Sequence, residues 1–149
     1  MLQIAHTGLY VKNIVKMTSF YVNVFGMHII CENFIQKDLL VSELIKDCNA
    51  SIKITKLISD QGKLTGIDDM LELIEVENQS LDSDDAPIYK PGIMHICFRV
   101  DNLPDVINKL LAHGGRLYTS IVDMNNGRKC CFARDVEGNY LELIEVQRQ

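Results

Sequence analysis

The sequence predicts an α+β fold: two tandem βαβββ modules forming a curved mixed β-sheet with helices on its convex side. Three observations predict it. The hexapeptide Leu-Glu-Leu-Ile-Glu-Val occurs twice, at residues 71–76 and 141–146. A second phrase, His-x-x-x-x-Val-x-Asn-aliphatic, begins at His6 and again at His95. In both copies the asparagine precedes a glycine by 13 residues, Asn13 before Gly26 and Asn102 before Gly115. A repeat of this kind sets the architecture more firmly than any single element, because each unit has to bury its apolar face in the same way.

The elements follow from local patterns. Residues 6–11 are a short strand ended by Lys12-Asn13. From Asn13 to Phe25 the apolar residues Ile14, Met17, Phe20, Tyr21 and Val24 recur at helical spacing, with Asn13 as N-cap and Gly26 as stop. Residues 27–34 return as a strand, and residues 38–47 carry Leu39, Leu40, Val41, Leu44 and Ile45 as a short amphipathic helix. The alternating stretch 51–57 is a strand. Residues 60–69 are polar with two glycines and predict a turn. The first hexapeptide then closes module one, residues 1–78.

Residues 79–92 hold an acidic, Ser- and Pro-bearing stretch that predicts a linker of solvated surface. Module two, residues 93–149, repeats the plan. A strand starts at His95, and a helix follows with Val106, Ile107, Leu110 and Leu111 on one side. A strand over 117–122, a turn at Asn125-Asn126-Gly127 and a strand over 129–134 come next. A turn at 135–139 leads into the second hexapeptide. From histidine to glutamate is 66 residues in module one and 47 in module two. The surplus of 19 falls at the extra helix and the turn after it.

Composition narrows the function. A net charge of −5 at pH 7 opposes a nucleic-acid backbone as partner. No apolar run approaches a membrane span, and the first residues lack the pattern of a signal peptide. Five cysteines without a Cys-x-x-Cys pair suit a reducing compartment and oppose a disulfide framework. The expectation is a cytoplasmic protein with neither a membrane nor a nucleic-acid partner.

Strand parity turns the repeats into a candidate site. His6, Gly8 and Tyr10 share one face of the first strand; His95, Cys97 and Arg99 share the matching face in module two. Glu72 and Glu142 lie opposite their strands' leucines, so they can join that face. A two-fold relation between modules would gather His6, Glu72, His95 and Glu142 at one point. Two imidazoles and two carboxylates suit a divalent first-row ion with open positions, and no thiolate is needed. Glu75 and Glu145 share the leucine parity near the strand ends and are expected at the surface. His28 and His113 match nothing across the repeat, and His113 is expected at a helix C-terminus.

Four phrases then carry a family resemblance. They are His6-Thr-Gly-Leu-Tyr-Val, Phe20-Tyr21-x-x-x-Phe25-Gly26-Met27, Gly92-Ile-Met-His95, and Arg134-Asp-Val-Glu-Gly-Asn-Tyr-Leu-Glu142-Leu. Together they resemble the vicinal oxygen chelate superfamily, which includes glyoxalase I, methylmalonyl-CoA epimerase, extradiol dioxygenases and fosfomycin- and bleomycin-resistance proteins. The resemblance implies a metal at His6, Glu72, His95 and Glu142 that could be nickel, cobalt, zinc, manganese or iron. It implies lyase or isomerase chemistry through an enediolate on a small 2-oxo, 2-hydroxy or thioester substrate, with Glu142 or Glu72 as base. It implies a homodimer. Tyr10 and Val76 stand where glutathione-using members carry arginine and asparagine, which departs from classical lactoylglutathione lyase. Arg99 and Tyr10, on the cleft face, are candidate substrate-binding residues, Arg99 for a carboxylate or phosphate. An acyl-CoA epimerase and a non-catalytic sequestering protein of the bleomycin-resistance kind are the alternatives.

Overall fold

The computed structural model describes residues 5–66, 69–78, 92, 93, 95–124 and 127–146. The chain forms two compact units, residues 1–82 and 83–149. The predicted linker lies outside the described residues except for Gly92, and so does Asn125-Asn126 of the predicted turn.

The first unit runs β1 (Thr7–Tyr10), α1 (Ile14–Phe25), β2 (His28–Gln36), α2 (Leu39–Ile45), β3 (Ile52–Ile58), α3 (Asp60–Thr65) and β4 (Met70–Val76). Its sheet has the order β1-β4-β3-β2, with β1 parallel to β4 and the other pairs antiparallel. The second unit runs β5 (His95–Val100), α4 (Leu103–Ala112), β6 (Arg116–Leu117), β7 (Val122–Met124), β8 (Arg128–Arg134) and β9 (Tyr140–Val146). Its sheet has the order β5-β9-β8-β6, with β7 also paired to β8 and β5 parallel to β9. The two modules therefore share one topology, as the duplicated phrases require, and each has its own mixed sheet.

Both long helices start in the same way. Asn13 and Asn102 are the N-caps, and their Oδ1 atoms accept from the Lys16 and Asp105 amides at 2.9 Å. Gly26 ends α1 at φ 67°, a left-handed conformation that only glycine adopts without cost. Ile14, Met17, Phe20, Tyr21 and Val24 are all buried, and in α4 Leu103, Ile107 and Leu110 are. These stripes cover the sheet face that carries Leu71 and Leu73 in one unit and Leu141 and Leu143 in the other, all at most 3% exposed.

Glu75 and Glu145 depart from the surface role expected of them. Glu75 Oε2 accepts from the Ile14 amide at 2.7 Å, and Glu145 Oε2 accepts from the Leu103 amide at 2.5 Å. Each repeated glutamate thus holds the first amide of its module's long helix, where the macrodipole also favours a negative charge. Their leucine parity turns them toward the helix, and the helix start supplies the donor.

Three element boundaries also differ. The predicted turn at 60–69 opens with α3, capped by Ser59, whose Oγ accepts from the Gly62 amide at 3.0 Å. Gly62 is needed for packing: a Cβ there would lie 2.7 Å from Ile58 Cγ1 and 2.8 Å from Asp69 Cβ. The predicted strand at 117–122 is broken into β6 and β7. The amides of Tyr118 and Thr119 both donate to the Phe132 carbonyl, and Thr119 Oγ1 accepts from the Phe132 amide at 2.9 Å. The bulge is polar and local, so the apolar pattern does not show it. Finally, β2 runs on to Gln36, with register shifts between Ile29 and Phe34 where Asn33 sits at φ 50°.

Candidate metal centre

The face opposite α1 in the first unit is not uniformly open. In β3 and β4 it presents Ile52, Ile54 and Lys56 level with Val76, Ile74 and Glu72. Helix α2 lies over one end, where Val41 and Ala50 form a buried cluster with Ile52, Ile54 and Val76, and Ile45 and Ile74 pack against it. Asp38 caps α2 by accepting from the Val41 amide at 2.9 Å, a bond that holds its carboxyl below the usual range. The other end carries the polar set. The residues added to module one by its greater length thus roof half of the face and leave Glu72 beside the uncovered half.

His6 and Glu72 meet there, with His6 Nε2 3.5 Å from Glu72 Oε2. Glu72 is 8% exposed. The parallel register puts Gly8 level with Glu72, so the histidine two residues earlier lies diagonally across on the same face. The second unit repeats this placement. Cys97 is level with Glu142, and His95 Nε2 is 3.3 Å from Glu142 Oε2. Tyr10 is level with Ile74, Arg99 is level with Ile144, and both are exposed.

The surroundings of the two carboxylates differ. Lys56 Nζ lies 3.0 Å from Glu72 Oε1. Glu142 instead accepts from the Cys130 thiol, Sγ to Oε1 at 3.4 Å, and stands level with Cys97. Burial first, then the Glu142 charge, pushes the Cys97 thiol up to about 11, so it stays a neutral donor at pH 7. Phe132, level with Glu142, meets the His95 ring edge-on at 5.4 Å between centroids. Sequence reasoning missed Lys56, Cys130 and Phe132. Their positions depend on antiparallel register, and the repeated phrases do not cover β3 or β8.

Other polar residues do structural work. His28 Nε2 lies 2.5 Å from Asp60 Oδ1, joining β2 to the start of α3. His113 is the C-cap of α4, and its Nδ1 donates to the Lys109 carbonyl at 2.8 Å. Asp135 Oδ1 accepts from the Glu137 and Asn139 amides at 2.9 and 3.0 Å, which makes 135–139 the expected turn. Arg134 hydrogen-bonds the Tyr140 hydroxyl, its guanidinium 4.2 Å from that ring's centroid.

The donor types and spacings suit one divalent ion. Donors at about 2.1 Å from a common ion lie roughly 3.0–3.4 Å apart when adjacent, close to the His–Glu spacing in each unit. No group of three or more His, Cys, Asp or Glu side chains arranged to hold a metal occurs among the described residues. Each unit offers one His–Glu pair. No helix among the described residues is long and apolar enough to cross a membrane.

Comparison with known proteins bears on the family and the fold. The sequence model described as the Glyoxalase/Bleomycin resistance protein/Dioxygenase superfamily matches residues 3–143. A lactoylglutathione lyase from Schizosaccharomyces pombe is 29% identical over 147 residues, 93% of this chain and 46% of that protein. The chain thus spans about half the length of that relative. A glyoxalase family protein from Bacillus cereus has a similar fold, with TM-score 0.84 at 18% identity over 97% of this chain and 94% of that one. A fosfomycin resistance protein from Listeria monocytogenes, complexed with Mn(II) and sulfate, has TM-score 0.58 at 16% identity over 99% and 94% of the chains.

Proposed function

Because the chain belongs to the Glyoxalase/Bleomycin resistance protein/Dioxygenase superfamily, we propose that it is a divalent-metal-dependent lyase or isomerase of the glyoxalase type. One observation carries this reading: the His–Glu pair built in module one is built again in module two, at 3.5 and 3.3 Å and in the same register. His6, Glu72, His95 and Glu142 together supply the four donors of one ion, either within a chain or between the two chains of a homodimer. Neutral imidazoles and carboxylates suit nickel, cobalt, zinc, manganese or iron(II).

The bound ion supplies Lewis-acid polarisation of a substrate carbonyl. The chain's own residues do the rest. One of the two carboxylates, Glu142 or Glu72, moves a proton at the carbon next to that carbonyl. Arg99 in β5 and Tyr10 in β1, both exposed, hold the substrate, which is a small 2-oxo, 2-hydroxy or thioester compound. The Mn(II) in the Listeria relative supports the use of a divalent ion in this fold. The lactoylglutathione lyase relative supports lyase chemistry. Tyr10 and Val76 speak against glutathione as the carrier.

Elemental analysis of protein purified without chelator, then supplied with each candidate ion, tests the reading. The expected result is about one ion per set of four donors, lost in Glu72→Ala and Glu142→Ala. Failure to bind any ion would replace the enzyme with a ligand-sequestering protein.

A further inference from the structure

In the row that carries the two glutamates, the modules differ by one charge. Lys56 stands in β3 directly across from Glu72, and the matching residue across from Glu142 is Phe132. A cation thus stands beside one glutamate and an aromatic ring beside the other. Glu72 also has no side chain directly beside it in β1. Its neighbour in β1 is Gly8, where an added Cβ would meet, among the described residues, only Ile74 Cδ1 within 4 Å, at 3.6 Å. The neighbour of Glu142 is Cys97.

Holding Glu72 does not by itself call for a lysine, because the second unit holds Glu142 with the Cys130 thiol. The ammonium carries three donors. Glu72 Oε1 takes one at 3.0 Å, and the Lys56 side chain remains 38% exposed. Two neutral imidazoles, two carboxylates and a divalent ion sum to zero, so Lys56 adds one positive charge to the four donors and their ion. That charge sits mid-strand, against a carboxylate that fixes its position, and not on a mobile loop.

We propose that Lys56 is, beside Arg99, a specificity-determining cation of this site, receiving the anionic group of a small 2-oxo or 2-hydroxy acid and selecting it over neutral carbonyl compounds. The inference rests on the metal-dependent reading above and names its substrate class. Lys56 lies 3.0 Å from Glu72 Oε1, while His6 approaches Oε2. One carboxylate oxygen is therefore left for the ion side and the other holds the lysine. A substrate carboxylate placed next to the ion then meets a second, fixed positive charge.

The experiment is calorimetry on Mn(II)-loaded wild type, Lys56→Met, Lys56→Gln and Lys56→Arg, with Mn(II) uptake measured first in each. Two probes are used: oxalate, a dianion with adjacent oxygens, and acetohydroxamic acid, which has adjacent oxygens and is neutral in solution at pH 7. The expected result is an oxalate affinity about tenfold or more lower in both neutral variants, as for loss of a charged hydrogen bond. Lys56→Arg should restore most of it, and acetohydroxamic acid affinity should stay within about threefold throughout. Unchanged oxalate affinity in metal-loaded Lys56→Met and Lys56→Gln would overturn the assignment of Lys56 alone. Equal loss for both probes would overturn it too, since it would show general damage to the site. Failure of the wild type to take up Mn(II) or any other divalent ion would overturn the metal reading itself and this inference with it.

Discussion

Glu75 closes the start of α1 by accepting the Ile14 amide at 2.7 Å, and Glu145 does the same for Leu103 in α4. A helix start leaves such amides without intrahelical partners, and a carboxylate there also meets the positive end of the dipole. Glu75→Ala and Glu145→Ala should each lower unfolding free energy by about 1–2 kcal/mol, as loss of a partly buried charge-assisted bond does. Urea denaturation measures it, with metal content as control. An ion content that fell along with stability would mean these glutamates belong to the site.

The two His–Glu pairs predict a pattern of complementation. His6→Ala and His95→Ala should each lose the ion while keeping the far-ultraviolet spectrum of the fold. If the four donors come from two chains, mixing the unfolded variants and refolding them together should restore ion binding to a fraction of the protein. If they come from one chain, the mixture should bind none. Retention of the ion by either single variant would remove its histidine from the ligand set.

The leucines of the repeated hexapeptides predict where the core is least tolerant. Leu73 and Leu143 are both fully buried. Replacing either with alanine should cost about 2–5 kcal/mol, the range for a core leucine whose cavity does not collapse. A loss below about 1 kcal/mol at either position would contradict the burial described here.

Cys131 predicts an alkaline effect. Burial, with Cys130 adding to it, pushes its thiol up to about 11 from an ordinary 9.0. Below pH 9 the thiol keeps its proton in folded and unfolded chains alike. Between pH 9 and 11 the unfolded chain releases it first, so stability falls as pH rises through that window. Urea midpoints at pH 8 and 10.5 should show a larger drop in wild type than in Cys131→Val. Equal drops would show that other groups set the alkaline limit.

Much of this was legible in the sequence. The duplicated hexapeptide and the duplicated His-to-Asn phrase gave both modules, both long helices and the facing of all four His and Glu residues. The misses have physical causes. Asn13 and Asn102 already satisfied the local signal for a helix start, so the second acceptors, 61 and 42 residues from their donors, left no mark in the pattern. Lys56 faces Glu72 through an antiparallel register that depends on the exact length of α3 and its flanks. Gly62 reads as a turn residue although it permits close packing inside a short helix. The break at Thr119 lies in a stretch whose residue types favour strand.

The parallel pairing of β1 with β4, and of β5 with β9, has a consequence for how the protein is made. The opening strand of each module stays without a sheet partner until the closing strand has left the ribosome. His6 waits 66 residues for Glu72, and His95 waits 47 for Glu142. Contacts this distant in sequence form late and slowly, because the loop they close has to be ordered first. Each His–Glu pair therefore marks a completed module: a chain truncated before β4 has neither pair, and one truncated before β9 has only the first.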